Sequence, residues 1–115
     1  MKNTHMLKKS GFKKIYNHAP SYAGRSVVML CMKNDLAVKR LGIVASKKVG
    51  NSVMRNKARR RIKEIYRINE NNIKNGYDIV IIARAAIHQV TFADLEKSVL
   101  KLLRKFELYE KNDRL

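Results

Sequence analysis

The sequence predicts an α+β fold, a small mixed sheet packed with helices in the order α-β-β-α-β-α. Three observations carry that expectation. Two runs rich in Val, Leu, Ile and Met flank the turn-forming pair Asn34-Asp35, a continuous apolar run fills residues 77–83, and two long stretches repeat apolar residues at helical spacing. At 115 residues and 45% hydrophobic content, the chain has enough apolar material for one core. A single domain over residues 1–115 follows, with flexible ends expected at about 1–8 and 110–115, where no apolar periodicity is present.

Ser10 can cap a first helix that places Phe12, Ile15 and Tyr16 on one face and lysines on the other. The Ala19-Pro20 step ends it, because the residue before proline avoids helical geometry. Residues 26–33 and 37–46 then read as two strands of an antiparallel hairpin. After a loop holding Gly50, Ser52 can cap a long helix whose stripe runs through Met54, Ala58, Ile62, Ile65, Tyr66, Asn69 and Ile73, with Asn75-Gly76 as its stop. Tyr77–Ala83 contains Ile79, Val80, Ile81 and Ile82 in sequence, the pattern of a strand covered on both faces and central in its sheet. Thr91 and Asp94 form a capping pair, Val90 and Leu95 a hydrophobic staple, and Leu95, Val99, Leu102, Leu103 and Phe106 the stripe of a last helix.

Charge narrows the function. Lys and Arg total 26 against 9 Asp and Glu, for a net charge of +17. Such a balance suits RNA, DNA or an anionic membrane surface. The lone Cys31 sits in an apolar run, has no intramolecular disulfide partner and reads as a buried core thiol in a reducing compartment. With no apolar signal region near Met1 and no run long enough to span a bilayer, a soluble cytoplasmic protein is expected.

The positive charge concentrates on the long helix. Between Arg55 and Arg67 stand seven cations, Arg55, Lys57, Arg59, Arg60, Arg61, Lys63 and Arg67, against the single acid Glu64. Like charges four residues apart repel by roughly 0.2 to 0.5 kcal/mol per pair, a cost that a polyanion removes. On a helical wheel Arg55, Asn56, Arg59, Arg60, Lys63 and Arg67 lie opposite the apolar stripe, so one face can dock on the sheet while the other meets phosphate. Arginine forks hold phosphate bidentately or stack on bases, and Asn56 can donate to and accept from base or sugar edges. Lys47 and Lys48 add charge beside the helix entry.

The run from Ser46 through Lys47, Lys48, Gly50, Arg55-Asn56-Lys57 and Arg59-Arg60-Arg61 to Glu64 resembles the signature of the bacterial ribonuclease P protein family. There a lysine pair, a glycine loop and an arginine-rich RNR segment open the long helix. Phe12 and Tyr16, the strand before Arg84 and the last helix extend the likeness over most of the chain. The resemblance implies a sheet with a left-handed βαβ crossover, like the second domain of a small-subunit ribosomal protein, which the usual right-handed rule does not predict. It also implies a subunit of a ribonucleoprotein endoribonuclease. Its partners would be the catalytic ribonuclease P RNA and precursor tRNA, whose 5′ leader is removed. Catalysis would reside in the RNA with Mg2+ that the RNA mainly binds, and no obligate protein partner is expected.

By the same resemblance, Arg55, Asn56, Lys57, Arg60 and Lys63 match helix positions that contact the catalytic RNA or lie beside the leader, and Arg59 sits at a further basic position; Lys47, Lys48 and Arg67 join them as RNA-binding candidates on charge and placement. Phe12, Tyr16 and Leu30 would line a cleft for the single-stranded leader. Two positions depart from the family pattern: Lys57 stands where the second arginine of RNR is usual, and Leu30 where some members carry an aromatic.

Other classes fit less well. The acids and the three histidines are scattered, with no ligand spacing for a metal and no cluster suited to autonomous nuclease chemistry. A membrane-surface helix would need the stripe that the sheet requires, and no helix-turn-helix pattern or dimerisation seam points to DNA. A structural RNA-binding protein, such as a ribosomal protein, shares the composition and charge. Only the ordered motif separates the two.

Overall fold

In the computed structural model, which describes residues 3–110, strand β5 (Tyr77–Ala83) occupies the middle of a five-stranded sheet. The others are β1 (Thr4–Met6), β2 (Ser21–Ala23), β3 (Val27–Lys33) and β4 (Lys39–Val44), and the strand order is β1-β4-β5-β3-β2. Helices α1 (Lys9–His18), α2 (Ser52–Asn69) and α3 (Phe92–Lys105) complete the fold. The predicted α-β-β-α-β-α order is embedded in this arrangement, and the two additional strands are three residues each, too short to show a period.

The expected hairpin does not form. β3 pairs antiparallel with β5, and β4 pairs parallel with β5, so β5 lies between the two runs that flank Asn34-Asp35. The apolar run of β5 explains the insertion: Ile79, Val80 and Ile81 are fully buried and need both neighbours as well as both faces. Residues 34–38 therefore cross about 10 Å, two strand spacings, over the start of β5. There Asn34 N–H donates to Gly76 O (2.9 Å), Gly76 N–H donates to Val38 O (3.1 Å) and the Asn34 amide reaches Asp78. The turn chemistry was right and its partner wrong. β4, α2 and β5 together make the βαβ unit.

Helix boundaries differ in detail. Lys8, not Ser10, stands at the α1 N-cap and makes no side-chain capping bond; Ser10 lies within the first turn. At α2, Asn51 caps in place of Ser52, its Oδ1 accepting from Met54 N–H at 2.9 Å. Two good capping residues stand side by side there, and spacing alone cannot choose between them. α2 stops at Asn69 and passes through a 3-10 turn, Glu70–Asn72, so Asn75-Gly76 serves the entry to β5 instead, with Gly76 at φ 88°. Ile73 is buried beyond the helix, and Met54, the first residue of the predicted stripe, is partly exposed. Thr91 caps α3 as expected, accepting from Asp94 N–H at 3.1 Å.

The start of the chain also differs from expectation. β1 pairs parallel with β4, and Thr4 is buried, its Oγ1 donating to the Glu70 carboxylate and accepting from the Tyr66 hydroxyl at 3.0 Å. Residues 4–7 are thus held to β4, with Leu7 N–H donating to Leu41 O at 2.9 Å, and Thr4 is also tied to Tyr66 of α2 and to Glu70 just beyond it. Glu110 N–H donates to Asn72 O, and the remainder of the tail expected to be flexible, 111–115, lies outside the described residues, as do 1–2.

The sheet has two unequal faces. Met29, Cys31, Leu41, Ile79 and Ile81 pack beneath α2 and α3 with Ile62, Ile65, Leu95 and Leu103 in the larger core. On the other face α1 covers less: Leu7, Ile15, Leu30 and Val80 are buried, while Phe12, Val28, Val44 and Ile82 remain partly exposed. No described helix is long and apolar enough to cross a membrane.

Candidate nucleic-acid interface

The long helix buries Ala58, Ile62, Ile65, Tyr66 and Asn69, which turns its arginines outward. Gly50, just before it, has φ 143°, and a Cβ there would stand 2.6 Å from Met54 Sδ, so the loop entry requires glycine. The cations do not share one role. Arg55 donates to Gly50 O (3.0 Å), and Arg59 to Ala45 O (3.2 Å) and Asn56 Oδ1 (3.0 Å), so both are steadied while keeping further N–H groups to offer. The accepting Oδ1 leaves the Asn56 amide free to donate outward. Arg67 is paired with Glu64, which holds that carboxyl below its usual range and raises the Arg67 guanidinium.

Lys57, Arg60 and Lys63 are exposed and make no hydrogen bond or ion pair within the described residues. They are the cations most available to phosphate. Arg61 points elsewhere, donating to Ile87 O (2.8 Å) and Val90 O (2.7 Å), and so locks α2 to the turn before α3. Lys47 and Lys48 lie exposed on a 3-10 turn whose Val49 is buried.

On the other face of the sheet a cleft borders α1. The row Gly42, Val80, Leu30 lies under the helix, and the next row, Val44, Ile82, Val28, is a half-bare apolar strip. Phe12 stands at one side of this strip with Tyr16, which is 49% exposed; the ring centroids are 6.3 Å apart. At the far side, Arg25, Ser46, Lys48 and Arg84 surround an open pocket of about 640 Å³ floored by Ile82 and Ala83. The chain leaving this pocket at Lys48 leads directly to the α2 cap, so the apolar strip and the arginine face are joined by one loop.

Of the three residues expected to line the cleft, Phe12 and Tyr16 are so placed. Leu30 is not: at 7% exposure it is buried under Ile15 and offers no stacking surface. Val28, two residues earlier on the same face of β3, takes the open position, with Val44 and Ile82. Alternation along β3 puts Val28 and Leu30 on the same face and cannot choose between them; the reach of α1 does. Arg25 and Arg84 are the cations missed, each isolated in sequence and brought to the pocket only by pairing of β3 with β5.

A family model described as Ribonuclease P matches residues 1–107 of the chain. The chain belongs to the ribonuclease P protein family. It is 41% identical over 113 residues to the ribonuclease P protein component of Caldanaerobacter subterraneus subsp. tengcongensis, covering 98% of this chain and 97% of the relative. With the Clostridioides difficile protein component, identity is 44% over 104 residues, covering 90% of this chain and 91% of the relative. Among solved structures, a Staphylococcus aureus RNase P protein mutant with defective mRNA degradation activity superposes with a TM-score of 0.84 at 34% identity, covering 91% of this chain and 90% of that one. The Thermotoga maritima RNase P protein gives 0.80 at 33% identity, covering 88% and 96%. The α+β expectation and the family resemblance both stand with these ribonuclease P proteins.

Proposed function

We propose that this chain is the protein subunit of ribonuclease P, binding the catalytic RNA through α2 and the 5′ leader of precursor tRNA in the cleft beside α1. One observation supports the leader reading above others: a half-bare apolar strip lies between Phe12 and Tyr16 on one side and Arg25, Lys48 and Arg84 on the other. Bases can stack or pack on the strip while backbone phosphates meet the cations, as a single-stranded segment requires. Arg60 and Lys63, without a partner among the described residues on the outer face of α2, suit the phosphates of a folded RNA.

The catalytic role falls to the RNA in this reading. Among the described residues no three His, Cys, Asp or Glu side chains come together to hold a metal. The Mg2+ is proposed to be bound mainly by the RNA, and the setting to be the cytoplasm, where precursor tRNA is made.

The test is cleavage of a 5′-extended precursor tRNA at low magnesium with protein alone, ribonuclease P RNA alone, and both. Efficient cutting at the mature 5′ end by the combination alone is expected. A protein that adds nothing to that RNA yet binds other RNAs tightly is a structural RNA-binding protein instead.

A further inference from the structure

A second group of cations lies away from α2, along α3. Lys97, Lys101 and Lys105 follow one another at four-residue spacing and form a single exposed ridge. None is ion-paired within the described residues; of the acids on the helix, Asp94 lies in the first turn three residues before Lys97, and Glu96 is turned toward α2, where Asn69 donates to it at 2.9 Å. The helix dipole accounts for Lys105 in the last turn but not for Lys97 and Lys101, which stand in its middle. As on α2, neighbouring lysines of like charge destabilise the free helix and are relieved by an anion.

The ridge borders a pocket of about 250 Å³ between α3 and the edge strand β2, lined by Ala23, Gly24, Arg25, Ser98, Lys101, Leu102 and Lys105. Lys105 Nζ is held 5.3 Å from the centre of the Tyr22 ring, which itself packs on Phe106 at 4.7 Å, so this ammonium has a fixed place at the pocket. Arg25 lines both this pocket and the one at the end of the cleft. Arg84, donating to Gly24 O at 2.9 Å, braces the turn that carries it. Arg25 therefore links the cations at the end of the cleft, Lys48 and Arg84, to Lys101 and Lys105 on the α3 ridge.

We propose that Arg25, Lys97, Lys101 and Lys105 form a second RNA-backbone site, which takes up single-stranded RNA where it leaves the Arg25 end of the cleft. The site rests on the reading of the cleft as a single-strand site. An RNA strand suits it better than an acidic protein surface because Arg25 makes it continuous with the cleft and, beside three cations and the Ser98 hydroxyl, its apolar lining is only the small Ala23 and the buried Leu102, too little to anchor a protein partner.

The experiment measures binding of the full chain to labelled single-stranded RNA of about 5 and about 15 nucleotides, a range typical of single-strand sites. Wild type is compared with Lys101→Gln/Lys105→Gln and with Phe12→Ala, after circular dichroism shows each to be folded. The longer RNA should bind wild type more tightly than the shorter one. In the lysine variant that gain should vanish, with a salt slope for the longer RNA lower by about 1.4, two contacts at about 0.7 each. Equal binding of the longer RNA by wild type and the lysine variant overturns the α3 site. Equal binding of the shorter RNA by wild type and Phe12→Ala instead removes the cleft reading, and with it the strand that the ridge is proposed to continue.

Discussion

The ring of Phe12 lies directly on the backbone of Gly42: a Cβ at that glycine would stand 2.4 Å from Phe12 Cζ and 2.5 Å from Cε1. Glycine in mid-strand usually weakens a sheet, but here its missing side chain lets α1 settle onto β4 and fixes one wall of the cleft. Gly42→Ala is therefore expected to push the ring outward and destabilise the fold by about 1 to 3 kcal/mol, the range for overpacking. Urea unfolding reads the loss, and binding of a short single-stranded RNA should weaken with it. Unchanged stability and binding would show that the ring can move freely.

The arginines of α2 should separate into two classes. Arg61→Ala removes two hydrogen bonds from a charged donor to the carbonyls of Ile87 and Val90, and should lower stability by about 2 kcal/mol while leaving the salt dependence of RNA binding nearly intact. Arg60→Ala with Lys63→Ala should do the reverse. Stability stays within about 0.5 kcal/mol, and the slope of log affinity against log salt falls by about 1.4 to 1.8. Paired thermal melts and salt titrations distinguish them.

Asp78 is the buried acid at the β5 entry. It accepts from Arg40 Nε and Nη2, both at 2.7 Å, and from Asn34 Nδ2 at 3.0 Å, which ties the crossing turn to two strands. Asp78→Ala leaves Arg40 without its acceptor, while Asn34 Nδ2 keeps only Val38 O at 3.2 Å. Because Arg40 is partly exposed and can regain water, the loss expected is about 2 to 3 kcal/mol, less than for a wholly buried pair. A denaturant midpoint equal to that of wild type would mean the pair contributes nothing net.

Alkaline pH should destabilise the fold through Cys31 and Tyr66. Burial pushes the Cys31 thiol up; burial also raises the Tyr66 hydroxyl, with the Thr4 hydrogen bond opposing and the Glu70 charge adding. Both groups keep their protons longer folded than unfolded, so their contribution is fully present below the ordinary thiol value of 9.0 and declines as pH rises above it. Urea midpoints from pH 7 to 10.5 should be flat at first and then fall, and Cys31→Ala should flatten part of the decline, whatever its effect at neutral pH. The native thiol should also resist a thiol-reactive dye until the protein unfolds.

Period and charge were sufficient for much of this molecule. The stripes of α2 and α3, the burial of Tyr77–Ala83 and the outward face of Arg60 and Lys63 all follow from local spacing, because an amphipathic element has only one way to hide its apolar side. The ordered run from Lys47 to Glu64 was likewise readable, since it is continuous in the chain. Other features were not. Which strand β5 would separate depended on its need for two neighbours, a demand met by residues far away in sequence. Thr4 joined the fold through Glu70 and Tyr66, contacts that no three-residue strand can announce.

The cleft shows the same division. Helical spacing placed Phe12 and Tyr16 on one face of α1, and the family resemblance assigned that face to a cleft, but only the tertiary structure buried Leu30, left Val28, Val44 and Ile82 partly open, and brought Arg25 and Arg84 to the opposite rim. Helical position is set within one or two turns of chain, whereas exposure on a sheet depends on how far α1 reaches across strands joined by long-range pairing. That reach is set by Phe12 resting on Gly42, a contact between residues whose spacing carries no periodic signal.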